Sequence, residues 1–132
     1  MACEPVPESF PDALLQDSLG LEPGDRVHTV TVRHDRGLEV AEPDSVLVYP
    51  GDWVDFVTED AYPRVVRFHA DSLSHEAREF LQEIRMMESP PLVRPGVHWV
   101  LHAESAPPGR YTYQVDGSGA SGRGVVVVVP AR

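Results

Sequence analysis

Residues Gly109 to Pro130 read GRYTYQVDGSGASGRGVVVVVP. Tyr111, Tyr113 and Val115 alternate with Thr112 and Gln114, and a loop of Gly, Ser and Ala leads into the valine run Val125–Val129. Period-2 alternation of aromatic and β-branched residues marks a half-buried strand, and an unbroken valine run marks a strand buried on both sides or nearly so. The stretch is a closing β-hairpin, and its loop is where chemistry would be expected.

Working outward, the rest of the chain reads mostly as β. Val27, Thr29, Thr31 and Arg33 alternate with His28, Val30, Val32 and His34. Asp35-Arg36-Gly37 is turn chemistry, Leu38–Val40 a brief strand, and Pro43-Asp44 a break before Ser45–Tyr49. Pro50-Gly51-Asp52 supplies Pro and Gly where tight turns use them. Trp53–Thr58, Arg64–His69 and Val97–His102 complete the strands, and Pro107-Pro108-Gly109 turns into the hairpin.

Two segments read as helix. Leu73, Ala77, Phe80, Leu81, Ile84 and Met87 form one stripe, with Asp71, Ser72 or Ser74 as caps and Pro90-Pro91 as the stop, which predicts a helix over about 73–88. A short N-terminal helix, Phe10–Leu19, is capped by Ser9 and stopped by Gly20, behind a Pro- and Glu-rich start. Seven or eight short strands with turns between them predict an all-β, Greek-key antiparallel sandwich rather than a βαβ fold.

Composition excludes several functions. The chain has 132 residues, enough for a single domain with a core of its own, and a formal net charge of −10, which disfavours nucleic acid and anionic membranes as partners. Every basic residue apart from histidine is arginine; without lysine or asparagine there is neither Schiff-base chemistry nor N-glycosylation. Cys3 has no second cysteine to pair with. The first ten residues lack the basic and apolar regions of a signal peptide, so the expected location is the cytoplasm, unless an exported form has been trimmed.

The candidate motifs are weak once their context is considered. Gly117-Ser118-Gly119-Ala120-Ser121-Gly122 matches G-x-G-x-x-G, yet a strand follows it where a nucleotide site needs a helix. His75-Glu76-Ala77-Arg78-Glu79 begins like H-E-x-x-H but has Glu79 at the second ligand position. His98 and His102 share a strand face about 13 Å apart, too far for one ion unless the strand bends. No serine has a nucleophile context. Arg64, Arg67, Arg110 and Arg123 would make an anion pocket if they converged, against the simpler outcome of surface ion pairs.

Taken together, these segments resemble a cupredoxin. Ser45–Phe56, SVLVYPGDWVDF, is similar to that family's strand, Pro-Gly-Asp turn and strand ahead of the first copper ligand. Ala61–Phe68, AYPRVVRF, resembles its aromatic-Pro-His-Asn segment, Ser89–Leu101 the approach to the penultimate hairpin, and Gly109–Val129 the closing hairpin. The resemblance covers roughly residues 26–130. Copper-binding relatives carry His, Cys, His and Met; the matching positions here are Arg64, Val115, Ser118 and Arg123. None of these is a type 1 copper ligand.

The resemblance therefore implies a cupredoxin-like sandwich over residues 25–132 behind a leader of residues 1–24, with no cofactor, no catalysis and no electron transfer. It implies a module for binding another protein or scaffolding an assembly. The loops Tyr62–Arg64, Pro90–Pro95 and Asp116–Arg123 form its expected contact surface. The competing expectation is a metal or redox protein with unconventional ligands among His69, His75, Glu79, His98 and His102. The core expected is Val30, Val32, Val48, Trp53, Val54, Phe56, Val66, Phe68, Trp99, Leu101, Tyr111, Tyr113 and Val127.

Overall fold

Eight strands and one α-helix make up the computed structural model, which describes residues 26–130. The leader with Cys3 and the helix read at Phe10–Leu19 lie outside the described residues. In chain order the strands are β1 (Val27–Asp35), β2 (Leu38–Glu42), β3 (Ser45–Val48), β4 (Trp53–Thr58), β5 (Arg64–Phe68), β6 (His98–His102), β7 (Gly109–Gly117) and β8 (Gly122–Val128). Helix α1 (His75–Glu83) lies between β5 and β6, after a 3-10 turn at Ala70–Ser72.

The strands form two four-stranded sheets, ordered β2-β1-β4-β6 and β3-β8-β7-β5. Both sheets are mixed. β1 runs parallel to β4 and β3 parallel to β8, while the β1–β2, β4–β6, β5–β7 and β7–β8 ladders are antiparallel. Hydrophobic alternation fixes which face a strand buries but carries no information on the direction of its neighbour, so an antiparallel sandwich was expected throughout.

Between the sheets, Phe56, Phe68, Trp99 and Tyr113 pack as tilted and edge-to-face rings, with Phe56 and Tyr113 centroids 5.2 Å apart at 84°. Such arrangements add about 0.5–1.5 kcal/mol per pair beyond area burial. Eleven of the thirteen expected core residues are buried. Trp53 instead lies half-buried on the outer face, stacked on His102 at 3.9 Å. Val127 is half-buried while Val126 and Val128 point inward.

The reason lies in the hairpin register. Tyr111 pairs with Val126, Tyr113 with Gly124 and Val115 with Gly122, so the inward positions of β8 are the even ones. A run of identical residues gives no parity of its own. Gly124 is required there, because a Cβ would lie 2.2 Å from the Tyr113 hydroxyl.

Helix α1 is capped as expected at Ser74, whose side chain accepts from Ala77 N–H at 3.1 Å. It stops earlier than its apolar stripe suggests. Arg85 adopts φ 60°, with Arg85 N–H bonded to Gln82 O and Met86 N–H to Leu81 O, a Schellman ending in which arginine fills the usual glycine position. Beyond it, residues 87–92 run along the outer edge of β5, bonding Phe68 N–H to Met87 O and Leu92 N–H to Arg64 O, both at 2.8 Å.

Two phenols are buried differently. Tyr111 donates to Pro107 O at 2.6 Å, while the Tyr113 hydroxyl is buried without a partner among the described residues. Desolvation pushes Tyr111 up to about 12 and raises Tyr113 as well, with Asp44 adding to the latter. A raised phenol favours the folded state below its unfolded value near 10 and loses that contribution as pH rises through the folded value. Stability measured by denaturant titration is expected to fall between about pH 10 and 12. Removing the unpartnered hydroxyl with Tyr113→Phe is expected to stabilise the fold by about 1 kcal/mol, since an unmet buried hydroxyl costs about 1–3 kcal/mol; a loss in the same titration would reveal a partner.

Candidate functional site

One end of the sandwich gathers the β1–β2 turn, the β4–β5 loop, the segment 92–97 and the β7–β8 loop. Arg64 pairs with Gly117 on β7 and bridges to Leu92. Leu38 bridges to Ala120, and His34 stacks on Tyr62 at 4.5 Å. Thr58 Oγ1 donates to Arg94 O, and Gly96 N–H donates to Thr58 O at 2.9 Å.

At the centre of this end is a buried ion pair. Arg64 Nε donates to Glu39 Oε1 at 3.2 Å, and neither side chain has any solvent exposure. Arg64 Nη2 reaches Asp60 Oδ1 at 2.6 Å, and Nη1 approaches Val32 O at 3.5 Å. The other Glu39 oxygen lies 2.7 Å from His34 Nδ1 and accepts from Gly119 N–H at 3.2 Å. Five segments of chain thus meet on two side chains.

Asp60 completes the cluster from its rim. Desolvation pushes its carboxyl upward, but His34 N–H, the Arg64 guanidinium and Tyr62 N–H outweigh burial, and the net direction is below the usual carboxylate range. A depressed carboxyl contributes stability above its unfolded pKa and loses it as pH falls through the folded value.

The glycine-rich loop is shaped by this pair. A Cβ at Gly117 would lie 2.7 Å from the Glu39 carboxyl carbon, at Gly119 2.5 Å from Gly37 O, and at Gly122 2.0 Å from Glu39 O. The glycines match the spacing of a phosphate-binding fingerprint, yet here they let the hairpin close over β2. From outside, Ser121 and Gln114 donate to Asp116 at 2.6 and 2.5 Å.

The four positions singled out by resemblance are distributed as follows. Arg64 and Val115 are buried, and Ser118 and Arg123 are exposed. The four arginines considered as an anion pocket do not converge: Arg64 is turned inward, while Arg67, paired with Glu88 at 3.0 Å, flanks Gln114 across from Arg123 on the exposed face. Arg110 is exposed further along β7, in register with Val127.

The histidines are each engaged locally. His69 bonds Gln114 at 2.8 Å, His98 meets Asp55 at 2.7 Å, His75 lies 3.3 Å from Glu79, and His102 stacks on Trp53. Among the described residues no three His, Cys, Asp or Glu side chains are grouped to hold a metal ion. A separate groove of about 640 Å³, lined by Arg67, Phe68, His69, Met87, Glu88 and Gln114, lies beside the end of β5.

Solved structures share this architecture. The reduced Cu(I) form of an amicyanin mutant at pH 4 aligns with a TM-score of 0.51 at 21% identity, over 82% of this chain and 85% of that one. The reduced state of a second amicyanin mutant aligns with a TM-score of 0.50 at 21% identity, over 93% and 94% of the two chains. The fold is cupredoxin-like. A third mutant, in its Cu(I) form, gives 0.51 at 24% identity over 76% and 81%. No protein-family model matches the sequence, and no curated protein does.

The residues of this cupredoxin-like end do not fit copper. A type 1 centre takes a thiolate and two imidazoles in a trigonal plane. Here the converging groups are two carboxylates, one imidazole and a fixed guanidinium, whose permanent charge opposes a second cation.

No pattern in the sequence points to Glu39, Asp60 or His34 as partners. Leu38 and Val40 are the larger apolar residues of β2, so placing them inward turns Glu39 outward; the structure instead buries Glu39 and Ala41 and leaves Leu38 44% exposed. Only the density of glycines opposite β2 hinted at a close approach.

Breaking the pair with Glu39→Gln is expected to cost about 3–5 kcal/mol in denaturant titration, as for other buried ion pairs. Asp60→Asn should flatten the fall in stability below about pH 4, while leaving the alkaline limb unchanged. Gly122→Ala is expected to destabilise by at least about 1–3 kcal/mol, because the Cβ meets backbone and not a movable side chain.

Proposed function

We propose that this chain is a copper-free, cupredoxin-like module that works by binding another protein through the loop end described above. One observation carries the reading. Three of the five exposed large hydrophobic residues among those described, Leu38, Tyr62 and Val93, belong to that end, at 44%, 48% and 45% exposure. They surround a core of charges already satisfied among themselves. Exposed apolar groups held on a rigid support are the features that mark protein contact surfaces.

The support matters as much as the patch. Arg64, Glu39 and Asp60 fix the loops from below, so little ordering entropy would be lost on binding. Exposed Arg36 and Arg94 lie on the same loops, and exposed Arg123 at the start of β8, in an otherwise acidic chain. They favour a partner face with complementary negative charge. Arg64, Val115, Ser118 and Arg123 stand, in this reading, where copper-binding relatives keep their ligands. Its action is association and not electron transfer or catalysis, and its place is the cytoplasm.

The test is capture of partners on immobilised protein, followed by identification. Tyr62→Ser and Val93→Ser together are expected to reduce capture of a reproducible partner at least tenfold with an unchanged melting temperature. Capture that survives both changes and depends instead on Leu47, at 56% exposure on β3, would move the contact surface elsewhere. Stoichiometric copper or zinc in protein purified without a histidine tag would favour the metal-binding alternative.

A further inference from the structure

We infer that the Arg64 guanidinium is the resident cation of this end: a permanent charge, carried by the chain itself, around which the site is built and which takes the place of a metal ion. The inference rests on the copper-free reading and deepens it.

Three observations converge on it. First, the guanidinium is faced by oxygens from three segments: a carboxylate oxygen of Glu39 at 3.2 Å, one of Asp60 at 2.6 Å and, more distantly, the Val32 carbonyl at 3.5 Å. Second, it is fully enclosed, with no side-chain exposure on either Arg64 or Glu39, so neither ion is hydrated or screened by solvent. Third, the surrounding chain is adapted to Glu39, its counter-ion. Gly117, Gly119 and Gly122 all leave space that a Cβ would take from Glu39 or its neighbour Gly37, and Gly119 N–H donates to the carboxylate.

The charge balance makes the cation indispensable. Two carboxylates face one guanidinium, with His34 as the remaining ionisable group against Glu39 and Tyr62 stacked on its outer side. Without Arg64 the enclosed Glu39 would lose its fixed counter-charge and the donor to Oε1, a loss that buried carboxylates tolerate poorly. A metal-bearing fold ties its loops together through ligand bonds; here the same end is tied by charge-assisted hydrogen bonds to a planar fork.

Two substitutions separate charge from volume. Arg64→Met keeps the side-chain bulk without the charge, and Arg64→Lys keeps the charge without the fork. Melting temperatures are expected in the order wild type, Arg64→Lys, Arg64→Met. If Arg64→Met equals or exceeds Arg64→Lys, the inference falls. Arg64→Ala opens a vacancy of guanidinium shape, and millimolar guanidinium chloride is expected to raise its melting temperature relative to matched sodium chloride, while leaving the wild type unmoved or slightly lower. No difference between the two salts for Arg64→Ala would overturn the role of the cation but leave the protein-binding reading intact. Stoichiometric copper uptake by the wild type that is lost when Glu39, Asp60 and His34 are replaced would overturn both.

Discussion

A guanidinium and a carboxylate with no access to water set the terms for one whole end of this molecule. Moving either ion out of solvent costs several kcal/mol even after relaxation, and attraction between them offsets that cost only where the remaining donors and acceptors are also met. At Arg64 and Glu39 they are met from β1, from the β4–β5 loop and from the hairpin tip. Each of those segments is held because the pair needs it. The loops are therefore constrained by this pair as well as by apolar packing, in which Leu92 belongs to the core.

This arrangement explains why a glycine-rich loop can be rigid. Glycine usually adds backbone freedom, yet at 117, 119 and 122 its lack of a side chain permits contact with β2. The mutual hydrogen bonds of Glu39 with Ala120 and of Ala120 with Gly37 then fasten the loop as a short parallel bridge. The closed hairpin is thus also part of what encloses the pair. The exposed Tyr62 ring, stacked on His34, is positioned by the same cluster and carries its order to the surface.

The sandwich itself was legible because period-2 patterning is strong in β1, β4, β5 and β7, where aromatic and β-branched residues alternate with polar ones. Elsewhere the pattern was silent or misleading. Val125–Val129 has no internal contrast, so its parity came from Tyr113 and Gly124 across the ladder. Arg85 closes α1 in a conformation that arginine rarely adopts, and no residue preference announced it. At the candidate site, Arg64 could be picked out through resemblance, but its partner could not. Glu39 points inward beside the small Ala41 while the larger Leu38 and Val40 of the same strand point away, and the Arg64 guanidinium supplies the counter-charge for that burial.

Residues 87–92 have a further consequence. By bonding along β5 they occupy the backbone groups of a strand that would otherwise terminate its sheet. An unguarded terminus of this kind recruits strands from neighbouring molecules and seeds fibrous assemblies. The helical excursion after β5 thus returns the chain as a strap that covers one of the four sheet edges and withholds it from edge-to-edge pairing.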